Sequence, residues 1–194
     1  RNPSATTIRA SRVRRTSSPS TSNGDERLRA LVIGVGNEFR RDDGIGPAVV
    51  AEVDRLGVGG GRTVITRGDT TGLLDAWGGV EVTVIVDAAA GPGATPGRIR
   101  RWTPGDRHDG AAVSSHALDL PGTYALGQAL GRLPRNLVVL TVDAADVGHG
   151  VSLTPPLAAA VPDVVATVVA ELERHAGRGL RTLDRGPKTP QRRM

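Results

Sequence analysis

From residue 30 onward, short runs of apolar and often β-branched residues alternate with longer stretches in which apolar positions recur at helical spacing. Residues 30–35 (ALVIGV) form a near-continuous apolar run, the pattern of a strand covered on both faces. Ile45, Val49, Val53 and Leu56 then fall on one face of a helix predicted from Asp43 to Leu56. Pro47 lies in its first turn, where a missing N–H costs nothing, and the glycine-rich stretch 57–61 ends it. Further strands are predicted at 63–66, 82–86 and 137–142, with an edge strand at 98–102. Helices are predicted at 71–77, from 117 or 118 to 130, and from 156 or 157 to His175, the last in spite of Pro162. Strands alternating with crossover helices predict an α/β fold: a single three-layer domain in which a twisted, mostly parallel sheet lies between helices on both faces.

Two stretches lack this pattern. Residues 1–28 are rich in Ser, Thr, Arg and Pro without apolar periodicity, so they are read as a disordered tail that cannot bury enough surface to offset ordering entropy. Their Arg- and Ser-rich composition also resembles an organellar transit peptide, a lesser reading beside a solvated tail. Residues 177–194 read as a second basic tail, which leaves 29–176 for the α/β domain. No apolar core of a signal peptide is present near residue 1, and no apolar run approaches the length that spans a bilayer, so no membrane partner is expected.

The net charge of +5 changes meaning once it is placed along the chain. Residues 1–29 carry seven arginines against Asp25 and Glu26, and residues 177–194 carry six basic residues against Asp184. The remaining 30–176 hold twelve basic and seventeen acidic residues, so the domain itself is acidic. Phosphate-tracking surfaces need clustered Lys and Arg, and single-strand binding adds aromatic platforms that this chain, with 2% aromatic residues, scarcely has. Nucleic acid is therefore excluded as a partner. Cysteine is absent, which removes disulfides, thiolate metal sites and a cysteine nucleophile, and fits a reducing cytoplasm.

In open parallel sheets, ligands bind outside the carboxyl ends of the strands, where loops meet helix N-termini. The distinctive segments of the chain all lie there: GVGNEFRRDDGIGP (34–47) after the first strand, VDAA (86–89) after the third, and SSHALDL (114–120) ahead of a helix. Each has two readings. Asp42 or Asp43 could cap the following helix, yet paired acids, Asn37 and the clustered glycines exceed what a cap needs and suggest that something approaches this backbone closely. Asp87 could be a turn former bonded to its own loop, or a side chain turned into the crevice. His116 alone could be a surface residue near a helix start. His108, His149 and His175 have no better claim, the last being placed at a helix end where its charge suits the dipole.

Taken together, Asp43, Asp87 and His116 form a one-nitrogen, two-oxygen donor set, workable for Zn²⁺, Ni²⁺ or a similar ion with positions open to water or substrate. A dinucleotide fingerprint fails because Phe39 stands where the third glycine belongs; a Walker A loop fails for want of G-K-[ST]. A serine hydrolase lacks G-x-S-x-G, and Ser115 beside His116 is poorly arranged for a Ser–His hydrogen bond. Arg40 and Arg41 are read first as a solvated loop and second as contacts for acidic groups of a substrate. A non-catalytic metal- or nucleotide-binding α/β module remains the alternative to an enzyme.

These segments, with PGRIR (96–100), GVSLTP (150–155) and RGDTTGLL (67–74), resemble the hydrogenase maturation proteases, endopeptidases that trim the C-terminus of the large subunit of nickel–iron hydrogenases. The likeness runs from about residue 30 to 175. It implies an aspartyl or metal-dependent protease whose catalytic and metal-binding residues are Asp43, Asp87 and His116; an open metal site could polarise the scissile carbonyl or activate a bound water, with a nearby carboxylate such as Asp42 or Asp87 to carry the proton, and no sequence feature chooses between these. It also implies that the partner is the large-subunit precursor, and that the metal is nickel presented by that substrate, with zinc or a similar divalent ion as a surrogate.

Overall fold

The computed structural model describes residues 30–57, 61–104, 106, 113–114 and 120–182, with the backbone alone at 113–114 and 176–182. The apolar run Ala30–Val35 forms β1, all six residues buried, and Ile45–Leu56 forms α1. Between them, Arg41–Gly44 makes a 3-10 turn, so the α-helix begins two residues later than the apolar spacing predicts. Then come β2 (Arg62–Thr66), α2 (Thr70–Trp77), β3 (Val82–Ala90), β4 (Ile99–Trp102), β5 (Val113–Ser114), α3 (Leu120–Ala129), β6 (Asn136–Asp143) and α4 (Pro155–Thr182).

Among the described residues the strands form one sheet in the order β2-β1-β3-β6-β4. The β1–β2, β1–β3 and β3–β6 pairs are parallel; β4 lies antiparallel on β6 as the predicted edge strand, and β5 pairs antiparallel with the end of β3. The chain leaves β1 for β2 on one side and returns to β3 on the other, which makes the carboxyl ends of β1 and β3 the switch point of the sheet.

Alternation along each strand sends side chains to two cores. Val32, Val84, Val86, Val138 and Leu140 pack with α1 and α4, whereas Leu31, Ile33, Ile85 and Val139 pack with Leu73 and Trp77 of α2 and with Leu120 of α3. The expected three layers are therefore present. On α4, Leu157, Val164, Val165, Val168 and Leu172 are buried, each such side chain stabilising the fold by about 1.5 to 3 kcal/mol.

Four expectations need correction. The third strand continues past 86, because Asp87 does not end it: Asp87 pairs with Thr141 and the ladder runs on to Ala89 opposite Asp143. Leu56 leaves the buried face of α1, being 48% exposed at the last turn. The last helix passes through Pro162 and beyond His175 to Thr182, into the stretch read as tail, so His175 is an interior helix residue, buried and 3.8 Å from Glu171. Pro155–His175 is also long and apolar enough by composition to cross a membrane, with a mean hydropathy of 1.4 in its best window. Its apolar face is spent on the core of this sheet.

Candidate active site

The glycines of the first distinctive segment accommodate the chain's own backbone. A Cβ on Gly46 would lie 2.3 Å from the Val35 carbonyl oxygen and 2.8 Å from that of Val86. Gly36, at a φ of +149°, takes the Asp43 carbonyl where a Cβ would otherwise stand. These positions let the N-terminus of α1 wedge between the ends of β1 and β3. The close approach expected from the sequence is thus satisfied by the protein itself, and it sets the Asp43 segment against the peptide that precedes Asp87.

Asp43 is fully buried, and its Oδ2 accepts the Asn37 N–H at 3.1 Å. Asp87 is 2% exposed, sits within β3 rather than in a loop, and accepts the Ala88 N–H at 2.8 Å. Its side chain shares the α2/α3 side of the sheet with Ile85. Both carboxylates therefore belong to contacting segments at the switch point. His116 lies outside the described residues; Ser114, two residues before it, pairs with Ala89, two residues after Asp87. Among the described residues no group of three His, Cys, Asp or Glu side chains could hold a metal; Asp43 and Asp87 lie among those residues and His116 does not.

Asp42 has a different part from its neighbour. Neither helix start near it uses a side-chain cap, so the capping reading fails for both acids. Fully buried, Asp42 instead accepts four hydrogen bonds: from the N–H groups of Ala145 (2.8 Å), Asp146 (2.9 Å) and Thr154 (2.7 Å) and from the Thr154 hydroxyl (2.9 Å). With both oxygens so engaged, it is a brace between the turn after β1 and the segment leading to α4, and a poor proton carrier. Arg41 joins the same brace through Asp146 at 3.2 Å and the His149 carbonyl at 3.3 Å, which gives it a partner within the chain.

The second brace also escaped the sequence reading. Asp143, buried at the end of β6, receives Arg100 Nε and Nη2, each at 2.8 Å, and the Thr95 N–H at 2.8 Å. Burial pushes this carboxyl up, but the Arg100 guanidinium and the Thr95 N–H outweigh it and hold it below the ordinary aspartate value. On the far side of the sheet Glu171 of α4 is treated likewise: burial raises it, and hydrogen bonds from Arg101 and Arg174 bring it lower overall. The PGRIR and GVSLTP segments thus acquire physical roles, one supplying Arg100 and the other Gly150 and Thr154.

Comparison with known proteins bears on this geometry. A family model described as hydrogenase maturation protease matches residues 69–171. The chain is 31% identical over 159 residues to a hydrogenase expression/formation protein, HupD, of Bradyrhizobium diazoefficiens, covering 78% of this chain and 82% of that protein. The fold is similar to the [NiFe] hydrogenase maturation protease HybD from Thermococcus kodakarensis, with a TM-score of 0.62 at 23% identity over 72% of this chain and 96% of the other. It is also similar to the hydrogenase maturating endopeptidase HybD from Escherichia coli, with a TM-score of 0.61 at 23% identity over 76% and 93% of the two chains.

Proposed function

The chain belongs to the hydrogenase maturation protease family, and on that premise we propose that it removes the C-terminal extension of a [NiFe]-hydrogenase large-subunit precursor after nickel has been inserted. Membership makes it a hydrolase and sets aside the non-catalytic module. The observation that carries the finer reading is the pair of buried carboxylates, Asp43 and Asp87, on contacting segments at the switch point of the sheet.

In this reading Asp43, Asp87 and His116 contact the nickel that the substrate presents, with no metal resident in the free enzyme. Two carboxylate oxygens and one imidazole are too few protein donors to hold nickel tightly, yet enough to complete the shell of an ion already bound elsewhere. Substrate affinity then depends on the shared ion, and cutting is licensed by loading. Hydrolysis requires a water to lose a proton as it attacks the scissile carbonyl, and of the two candidate carriers we assign that role to Asp87, since Asp42 has its oxygens committed to the brace. We assign the reaction to the cytoplasm.

Single substitutions test the assignment. Asp87→Asn and His116→Ala should each abolish cleavage of the nickel-loaded precursor while circular dichroism stays unchanged; Asp43→Glu should retain part of it, since charge and oxygen donor survive. Undiminished cutting by His116→Ala removes that residue from the site.

A further inference from the structure

Among the described residues Arg41 is the only one other than glycine with a positive φ, at +48°. In that left-handed region the Cβ crowds the following carbonyl, so an arginine stays there only when its surroundings hold it. The segment between β6 and α4 does the holding. The Gly150 carbonyl accepts the Arg41 N–H at 2.9 Å, and the Asp146 carbonyl accepts the next N–H, that of Asp42, at 3.1 Å. Arg41 Nε reaches the Asp146 carboxylate at 3.2 Å and the His149 carbonyl at 3.3 Å. Gly150 makes room for this side chain, since a Cβ there would meet Arg41 Cγ at 2.9 Å and Nε at 3.1 Å.

From Arg41 the conformation passes to Asp43 through a closed circuit of hydrogen bonds. The Arg40 N–H donates to the Asn37 carbonyl at 2.9 Å, the Asp43 N–H to the Arg40 carbonyl at 3.1 Å, and the Asn37 N–H to Asp43 Oδ2 at 3.1 Å. Arg41 lies inside this circuit. Gly36 leaves it no slack, because the Asp43 carbonyl fills the place of its Cβ. A return of Arg41 to an ordinary helical φ of about −60° would therefore move the Asp43 carboxylate or break its bond from Asn37.

We propose that Arg41 is a positioning residue for Asp43: the segment 146–150 forces it into the left-handed conformation that aims the Asp43 carboxylate into the site. This rests on the reading above that Asp43 serves the cleavage of a hydrogenase large-subunit precursor. Strain at Arg41 is offset by its contacts with Asp146, His149 and Gly150, and what the strain secures is a carboxylate already oriented before substrate arrives. Arg41 acts through its backbone and through Asp43, not on the substrate.

The test compares wild type with Arg41→Ala and Arg41→Gly. Both variants lose the Nε contacts, but only glycine enters the left-handed region without steric cost. Hydrogen exchange of the Asn37 amide, read by NMR, reports the bond to Asp43 without substrate, and cleavage of the nickel-loaded precursor is timed below the melting temperature of every variant. In Arg41→Ala the Asn37 amide should exchange about ten-fold faster or more and kcat/KM should fall about ten-fold or more, whereas Arg41→Gly should stay within about three-fold of wild type in both. A role in stability alone would lower the melting temperature of both variants and leave the Asn37 amide and kcat/KM in place. Equal behaviour of the two variants overturns the proposal, as does undiminished cleavage by Arg41→Ala. If wild type itself cuts nothing, the processing role falls and the amide decides alone: fast exchange in Arg41→Ala with slow exchange in Arg41→Gly sustains the control of Asp43 by Arg41, and any other order overturns it.

Discussion

Asp42 and Thr154, 112 positions apart in the chain, are joined by two hydrogen bonds, from the Thr154 N–H to Oδ1 at 2.7 Å and from its hydroxyl to Oδ2 at 2.9 Å. The contact locks the turn after β1 to the entry of α4, and the residue next to Asp42 is the candidate ligand Asp43. Removing the carboxylate leaves several buried donors unsatisfied. Asp42→Ala should therefore cost on the order of 3 to 5 kcal/mol, and Thr154→Val about 1 kcal/mol, in urea unfolding at neutral pH. A double-mutant cycle should show non-additivity; independent effects would mean that the brace is not a unit.

Arg100 and Asp143 form a two-pronged ion pair in which the acid is wholly buried. Arg100→Ala strands that carboxylate and should lower the urea midpoint clearly below that of wild type. Replacing Asp143 by Asn in the same background should recover part of the loss, because the uncompensated charge is gone. If Arg100→Ala unfolds at the wild-type urea midpoint, the pair contributes nothing.

Acid should weaken the fold through the two buried carboxyls. Folded Asp143 and Glu171 bind protons less readily than they do in the unfolded chain, so unfolding takes up protons in acid. Their contribution is full above the ordinary values of 3.8 and 4.5 and drains as pH falls below these toward the lowered folded values. Urea unfolding from pH 7 to pH 3 should show its steepest decline in the lower part of that range, with the slope reduced in Glu171→Gln. A stability curve flat to pH 3 would rule this out.

Gly46→Ala puts a methyl group where the carbonyl oxygens of Val35 and Val86 already stand, at 2.3 and 2.8 Å. The start of α1 must then retreat from β1 and β3, taking Asp43 with it. Both stability and cleavage should fall, whereas Gly79→Ala, in open space with a φ of +77°, should cost stability alone. Wild-type activity in Gly46→Ala would show that the wedge does not position the site.

The parts of the fold that were legible in the sequence are those specified locally. Ala30–Val35 reads as a buried strand because six successive residues are covered on both faces, and Arg62–Thr66 and Ile99–Trp102 fell within one residue of expectation. What sequence could not reveal depends on distant partners. Asp87 looked like the end of a strand because charge usually ends one, but its pairing with Thr141 carries β3 onward. Asp42 and Asp43 are adjacent and chemically identical, and only contacts with residues 145–154 separate the brace from the candidate ligand. Arg100 stood in a noticed segment without a reason until Asp143, 43 positions away, met it. His116 belongs to a segment outside the described residues, so the third member of the candidate site rests on the sequence.

Nickel dependence is the central claim and can be measured directly. Purified protein is incubated with the nickel-loaded and the nickel-free large-subunit precursor, and the mass of each is followed with time. The account predicts that a short C-terminal peptide leaves the nickel-loaded form alone, while the nickel-free form keeps its full mass; equal cutting of both would contradict it.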